Sequence, residues 1–162
     1  MKKYLAIDPG VSGGIAFNLE NAGVNAKNKA EAMAMGMPET DRDIIDELRL
    51  ICEYDDKIVA IIEDVPKYVG NNVPGSSIFP LAYNVGFVRA ALMTMNVPVI
   101  LVKPQDWQKH FRLGTKKDAG STTAWKNKLK GEAQRRHPHL KVTLKTADSL
   151  LLLDFARESL LG

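Results

Sequence analysis

Tyr4-Leu5-Ala6-Ile7-Asp8-Pro9-Gly10-Val11-Ser12-Gly13-Gly14-Ile15-Ala16-Phe17 is the stretch that decides the fold. An apolar strand, Lys3 to Ile7, delivers one acid into a glycine-rich turn, and Ser12 to Phe17 returns as the second arm of a hairpin. A carboxylate at the end of a buried strand is costly unless a cation or hydrogen-bond donors satisfy it. Asp8 is therefore either a ligand, left uncovered by the glycines so that a metal or phosphate can approach, or an acid capping the turn.

Working outward, Asn21 to Thr40 is weakly patterned and reads as a third strand plus a loop. Thr40-Asp41-Arg42-Asp43 is a helix start, and Ile44, Ile45, Leu48, Ile51 and Cys52 form the apolar face that follows, ending near Tyr54. Ile58 to Ile62 is a continuous apolar run suited to a central strand, and it ends in Glu63. Glu63 thus repeats the oddity of Asp8. Because strand side chains alternate faces, only one of Glu63 and Asp64 can join Asp8, and two acids at adjacent strand ends suit a divalent cation. A polar stretch, Lys67 to Pro80, precedes a helix from Ile78 to Met95, whose small Ala82, Gly86, Ala90 and Ala91 permit close packing against a sheet or a second subunit. Val97 to Val102 reads as a strand and Lys103 to Trp107 as a loop. Helices follow at Ser121 to Arg136 and Thr146 to Leu161, with Thr146 as N-cap. The order predicts one α/β domain, residues 1–162, with a mixed sheet of antiparallel hairpin and parallel strands flanked by helices.

The net charge of +3 hides a segregation. Lys103 to Lys145 holds twelve Lys or Arg against Asp106, Asp118 and Glu132, a surplus of nine positive charges, so the remainder of the chain is acidic. Such asymmetry points to a polyanionic partner, nucleic acid above all, against the plainer reading of a solvated helix face. A lone Cys52 in an apolar setting excludes an internal disulfide and a cysteine zinc site and reads as core in a reducing cytoplasm. The longest apolar runs fall far short of the ~20 residues of a membrane span, so neither membrane insertion nor secretion is expected.

Ile7-Asp8-Pro9-Gly10, Ala60-Ile61-Ile62-Glu63, Ser77-Ile78-Phe79 through Tyr83-Asn84-Val85-Gly86-Phe87, Val97-Pro98-Val99, Val102-Lys103-Pro104-Gln105-Asp106-Trp107 and Ala147-Asp148-Ser149-Leu150-Leu151, in this order, resemble the RuvC-type Holliday junction resolvases, especially the forms carried by phages. The resemblance implies an RNase H-like fold and a homodimer that binds four-way junctions and nicks branched DNA in pairs. It implies a Mg²⁺- or Mn²⁺-dependent endonuclease of DNA recombination and repair, in the cytoplasm of a bacterium or a phage-infected host cell. It places Asp8, Glu63 and Asp148 as metal ligands. Hard divalent cations take such oxygens, and two ions about 4 Å apart can activate water and stabilise a leaving oxygen. Taken alone, Asp148 reads as a first-turn acid complementing a helix dipole; taken with Asp8 and Glu63 it reads as a ligand.

One departure from the family pattern stands out. A further carboxylate three or four residues before Asp148 is usual, and Leu144 and Lys145 occupy those positions. Asp154 and Glu158 lie too far along the helix to substitute. Lys145 then holds the scissile phosphate or attacking water, or His137 or His139 supplies a ligand, or the chain binds junctions with impaired cleavage. For DNA contact the candidates are Lys103, Lys109, Arg112, Lys116 and Lys117 around Trp107, then Lys126 and Lys130 on the following helix. Tyr68, Asn71 and Asn72, in the loop after Glu63, sit where relatives probe the crossover point. Trp107 itself reads as a core anchor. An actin-like nucleotide-binding domain, the remaining reading, needs a second phosphate-binding glycine loop, and the Asp148 segment has none.

Overall fold

The computed structural model describes residues 3–18, 32–53, 57–65 and 74–160. β1 (Lys3–Asp8) and β2 (Gly14–Asn18) form the expected hairpin, and β3 (Ala32–Gly36) adds antiparallel to β2. β4 (Ile58–Glu63) lies parallel to β1, and β5 (Val99–Val102) parallel to β4, giving one sheet in the order β3-β2-β1-β4-β5. The helices are α1 (Asp41–Glu53), α2 (Gly75–Thr94), α3 (Pro104–His110), α4 (Thr122–Arg136) and α5 (Ala147–Ser159).

Strand alternation sorts two cores onto the two faces. Leu5, Ile7, Ile15, Phe17, Ala60 and Ile62 point toward α1 and α2. Tyr4, Ala6, Ala16 and Ile61 point the other way, onto α5, with Trp107 of α3 and Trp125 and Leu129 of α4 beyond. α5 packs across β1, β2 and β4 on one side and against α3 and α4 on the other, which is why Leu150 to Leu153 are all buried.

Two expectations are corrected. The Lys103 to Trp107 loop is the start of helix α3, because Pro104 occupies a first helical turn where its missing N–H has no partner to lose. α2 begins at Gly75 rather than Ile78, with Pro80 tolerated in its second turn. Thr146 does stand at the N-cap of α5, but its hydroxyl accepts from the Thr143 N–H behind it instead of capping the helix. At the other end of the described chain, Thr40 caps α1 as read, accepting from Asp43 N–H at 3.1 Å.

The entry to α5 leaves no room at β2. A Cβ at Gly14 would stand 2.4 Å from the Lys145 carbonyl oxygen and 2.6 Å from that of Met35. Gly131, inside α4, faces open space. Gly14→Ala should therefore cost about 2–3 kcal/mol in urea unfolding, whereas Gly131→Ala should stabilise by about 0.5–1 kcal/mol.

Candidate active site

Parallel pairing places Ile7 beside Ile62, so Asp8 and Glu63, one residue further on, end adjacent strands side by side. Both continue the alternation of the α5 face, Asp8 after Tyr4 and Ala6, and Glu63 after Ile61. α5 crosses that face and carries Asp148 in its first turn. The three acids come from three elements far apart in sequence and meet at one end of the sheet.

Their electrostatics record the meeting. Burial, then the nearby charges of Glu63 and Asp148, hold the Asp8 carboxyl well above the usual range, and Lys126 of α4 pulls against them. Burial pushes Glu63 up to about 7, opposed by a hydrogen bond from the buried indole of Trp107 (Nε1 to Oε2, 2.8 Å) and reinforced by Asp148. Asp148 rises to about 6 through burial, with Lys126 again opposing. Desolvated acids that repel one another and are opposed, among the described residues, by Lys126 form a site short of positive charge.

The donor set fits a hard divalent cation in kind, since all three are carboxylates. In spacing, no three His, Cys, Asp or Glu side chains among the described residues stand close enough to share an ion as placed, so a shared ion requires the acids to draw inward.

The turn after Asp8 is held from the opposite face of the sheet. Asn84 of α2, buried, accepts the Gly10 N–H at 2.8 Å, and Gly13 N–H closes the turn on the Gly10 carbonyl at 3.0 Å. Gly10 has φ +104°, and a Cβ there would meet Leu81 at 3.0 Å, so glycine suits this corner both in conformation and in space.

Lys145 enters α5 at the same end of the sheet, since Gly36 is in register with Gly14 and Gly14 with Asp8. Its stem runs over Gly36 of β3, two strands across from Asp8, while the cation acting on Asp8 and Asp148 is Lys126. His137 is buried against Asp154 (3.1 Å), and His139 is exposed, near the Ala32 carbonyl. Arg135 and Arg136, part of the basic third, are both paired to Glu132, and Arg136 also reaches Glu158 at 2.8 Å and stacks 4.6 Å over Phe111. Lys109, Arg112 and Lys116 line an open cleft beside α3. Lys103 stands at the N-cap of α3, Lys117 is exposed on the turn that follows, and Lys130 is half-buried on α4. Tyr68, Asn71 and Asn72 lie outside the described residues.

Sequence reasoning had Trp107 as packing only and Lys126 as a surface contact; what it lacked was the packing of α3 and α4 on α5. Among the described residues no helix is long and apolar enough to cross a membrane.

The fold is shared with solved structures of RuvC. The Thermus thermophilus RuvC structure superposes with a TM-score of 0.51 at 14% identity over 96% of this chain and 95% of that one. T. thermophilus RuvC in complex with Holliday junction substrate gives 0.55 at 16% identity over 97% and 96%. A Fowlpox virus resolvase complexed with Holliday junction DNA gives 0.47 at 17% identity over 96% and 99%. The chain thus has the RNase H-like fold of RuvC. No family model and no curated protein matches the sequence.

Raised carboxyl pKa values stabilise the protonated fold, so in EDTA the protein should lose stability as pH rises from about 4.5 through about 7. Asp8→Asn removes one repelling charge. It should stabilise the metal-free protein at pH 8, an advantage that fades toward pH 4, as measured by urea unfolding at both values.

Proposed function

We propose that the chain is a single nuclease domain, residues 1–162, that resolves four-way and other branched DNA by paired phosphodiester nicks, using a divalent metal and acting as a homodimer. The observation that carries this reading is the convergence of Asp8, Glu63 and Asp148 at one end of a RuvC-like sheet, opposed among the described residues by Lys126. The strong positive surplus from Lys103 to Lys145 supports a polyanionic substrate.

In this reading Asp8, Glu63 and Asp148 hold the cation, and Trp107 orients Glu63 from behind, as outer-shell donors do for metal ligands. Bound Mg²⁺, or Mn²⁺ in its place, supplies an activated water and charge stabilisation at the leaving 3′ oxygen. Lys126 offsets the charge that builds on the phosphate during attack. Lys145, at the entry to α5, holds the scissile phosphate or the attacking water. Lys103, Lys117 and Lys130 add sequence-independent phosphate contacts, and Tyr68, Asn71 and Asn72 probe the crossover.

α2 supports the homodimer. Its inner side buries Asn84, Val88, Ala91 and Leu92, yet its outer side is also apolar: Phe79 is 70% exposed and Met93 71%, with Ala82, Tyr83, Gly86 and Ala90 between them on the same stripe. A helix apolar all round calls for a second partner. Ala82, Gly86 and Ala90 recur every four residues and let another helix approach closely, and the stripe is self-complementary across a two-fold axis.

A second reading, a junction-binding protein of the same fold with weak or absent cleavage, rests on Lys145 standing in place of a carboxylate and on acids too widely spaced to share an ion as placed. A labelled four-way junction incubated with Mg²⁺ or Mn²⁺ separates the two. Symmetric nicks that Asp8→Asn abolishes, and that Lys126→Ala slows about 100-fold while junction binding persists, are expected; binding without nicks under either metal overturns the enzyme in favour of the second reading. Light scattering should give twice the monomer mass of 17.9 kDa, and Gly86→Arg should give the monomer with its helical content intact.

A further inference from the structure

The N-terminal part of α2 reaches the acid centre through one residue. From Gly75 to Phe87 that helix buries Asn84 and no other side chain. Asn84 Oδ1 accepts the Gly10 N–H at 2.8 Å, and Leu81, one turn earlier, meets Gly10 from the same side. The neighbour of Asn84 in sequence, Tyr83, belongs to the outer stripe, its ring stacked between those of Phe79 at 6.2 Å and Phe87 at 6.0 Å. The seat of the turn and the exposed stripe are thus adjacent residues of one helix.

The link from Gly10 back to Asp8 is short and stiff. Pro9 fixes its own φ and confines the residue before it, Asp8, to extended backbone. Gly13 closes the turn from its other end: its N–H donates to the Gly10 carbonyl at 3.0 Å, and a Cβ there would lie 2.1 Å from the Asp8 carbonyl oxygen. A shift of the Gly10 amide is therefore passed to Asp8 instead of being absorbed in the turn. Asn84 itself lies on the face of the sheet away from the Asp8 carboxyl, so it acts on the site through backbone alone.

The acids need such an adjustment. As placed, no three His, Cys, Asp or Glu side chains among the described residues stand close enough to share an ion, so binding one draws Asp8, Glu63 and Asp148 inward. Glu63 is fastened by Trp107, and Asp148 stands on α5, whose Leu150 to Leu153 are buried. The turn after Asp8 is the member whose seat can change, and α2 is that seat. A helix held by a partner along its outer stripe and a helix left uncovered present Asn84 to the turn differently, which gives the two states unequal affinity for a cation.

We propose that Asn84 is a positioning residue that couples pairing of two chains to the active centre: α2, once paired, sets the Gly10 turn so that Asp8 can share a divalent cation with Glu63 and Asp148. This rests on the homodimer and metal reading given above and adds that one controls the other. A lone chain holds the cation weakly, so nicking waits for the assembly that can cut two strands.

Coupling of this kind is reciprocal. Sedimentation equilibrium in EDTA and in saturating Mn²⁺ measures pairing. The paramagnetic resonance of free Mn²⁺ measures binding at the site that Asp8→Asn removes, at chain concentrations above and below the pairing constant. In the wild type, paired chains should bind Mn²⁺ about tenfold more tightly. With one coupled ion in each chain, Mn²⁺ should tighten pairing by the square of that factor, about 100-fold. Asn84→Leu, which removes the acceptor and fills its space, should still pair in EDTA and still bind Mn²⁺, with each constant now indifferent to the other. Asn84→Asp, which keeps the acceptor, should retain the coupling. Independent constants in the wild type, a coupling that persists in Asn84→Leu, or its loss in Asn84→Asp overturns the proposal and leaves the homodimer and metal reading standing. A wild type that stays monomeric, or takes up no Mn²⁺, overturns that reading and this proposal with it.

Discussion

Three carboxylates that repel one another at the end of an apolar sheet are the constraint on which the rest of this structure depends. Asp8 and Glu63 are brought together by parallel pairing of β1 with β4, and Asp148 by the packing of α5 over both. Burial raises all three, and each acid makes the next harder to ionise. The fold carries this cost through an unusually complete support. α5 is buried from Leu150 to Leu153 between the sheet and the outer helices, Asn84 pins the turn after Asp8, and Trp107 pins Glu63. A site that is expensive when empty is one that gains from a cation.

The basic third of the chain divides once folded. Arg135 and Arg136 are consumed in a knot with Glu132, Asp154 and Glu158 that ties α4 to α5, while Lys126 turns to the acids and Lys109, Arg112 and Lys116 remain open in their cleft. A count of charges treats these residues alike. Their different roles depend on which acids the tertiary fold brings within 4 Å, and those acids lie up to 22 residues away in the chain. Positive charge is therefore concentrated along α3 and the start of α4, next to the carboxylates and not at the far end of α4.

α2 joins the two halves of this picture. One side reaches the turn after Asp8 through Asn84, and the other presents Phe79, Tyr83 and Met93 to the outside. Tyr83 and Asn84 are neighbours in sequence, so the surface read as a dimer contact and the residue holding the turn belong to one rigid element.

The hairpin, the central strand ending in Glu63, and the helix opening on Asp148 were legible in the sequence because each is local: alternation, a continuous apolar run and turn chemistry are set by neighbours a few residues apart. So was the oddity of acids at strand ends. The same local signals misread Lys103 to Trp107 as a loop, since a seven-residue helix has too little periodicity to announce itself. The sequence by itself thus determined the mixed sheet and the order of the described elements other than α3. Only the tertiary structure decided that Lys126 acts on those acids, that Trp107 holds Glu63, and that His137 belongs to Asp154. These are pairings between side chains on different elements, fixed by the packing of α5 on the sheet and of α3 and α4 on α5, and spacing along the chain carries no record of that packing.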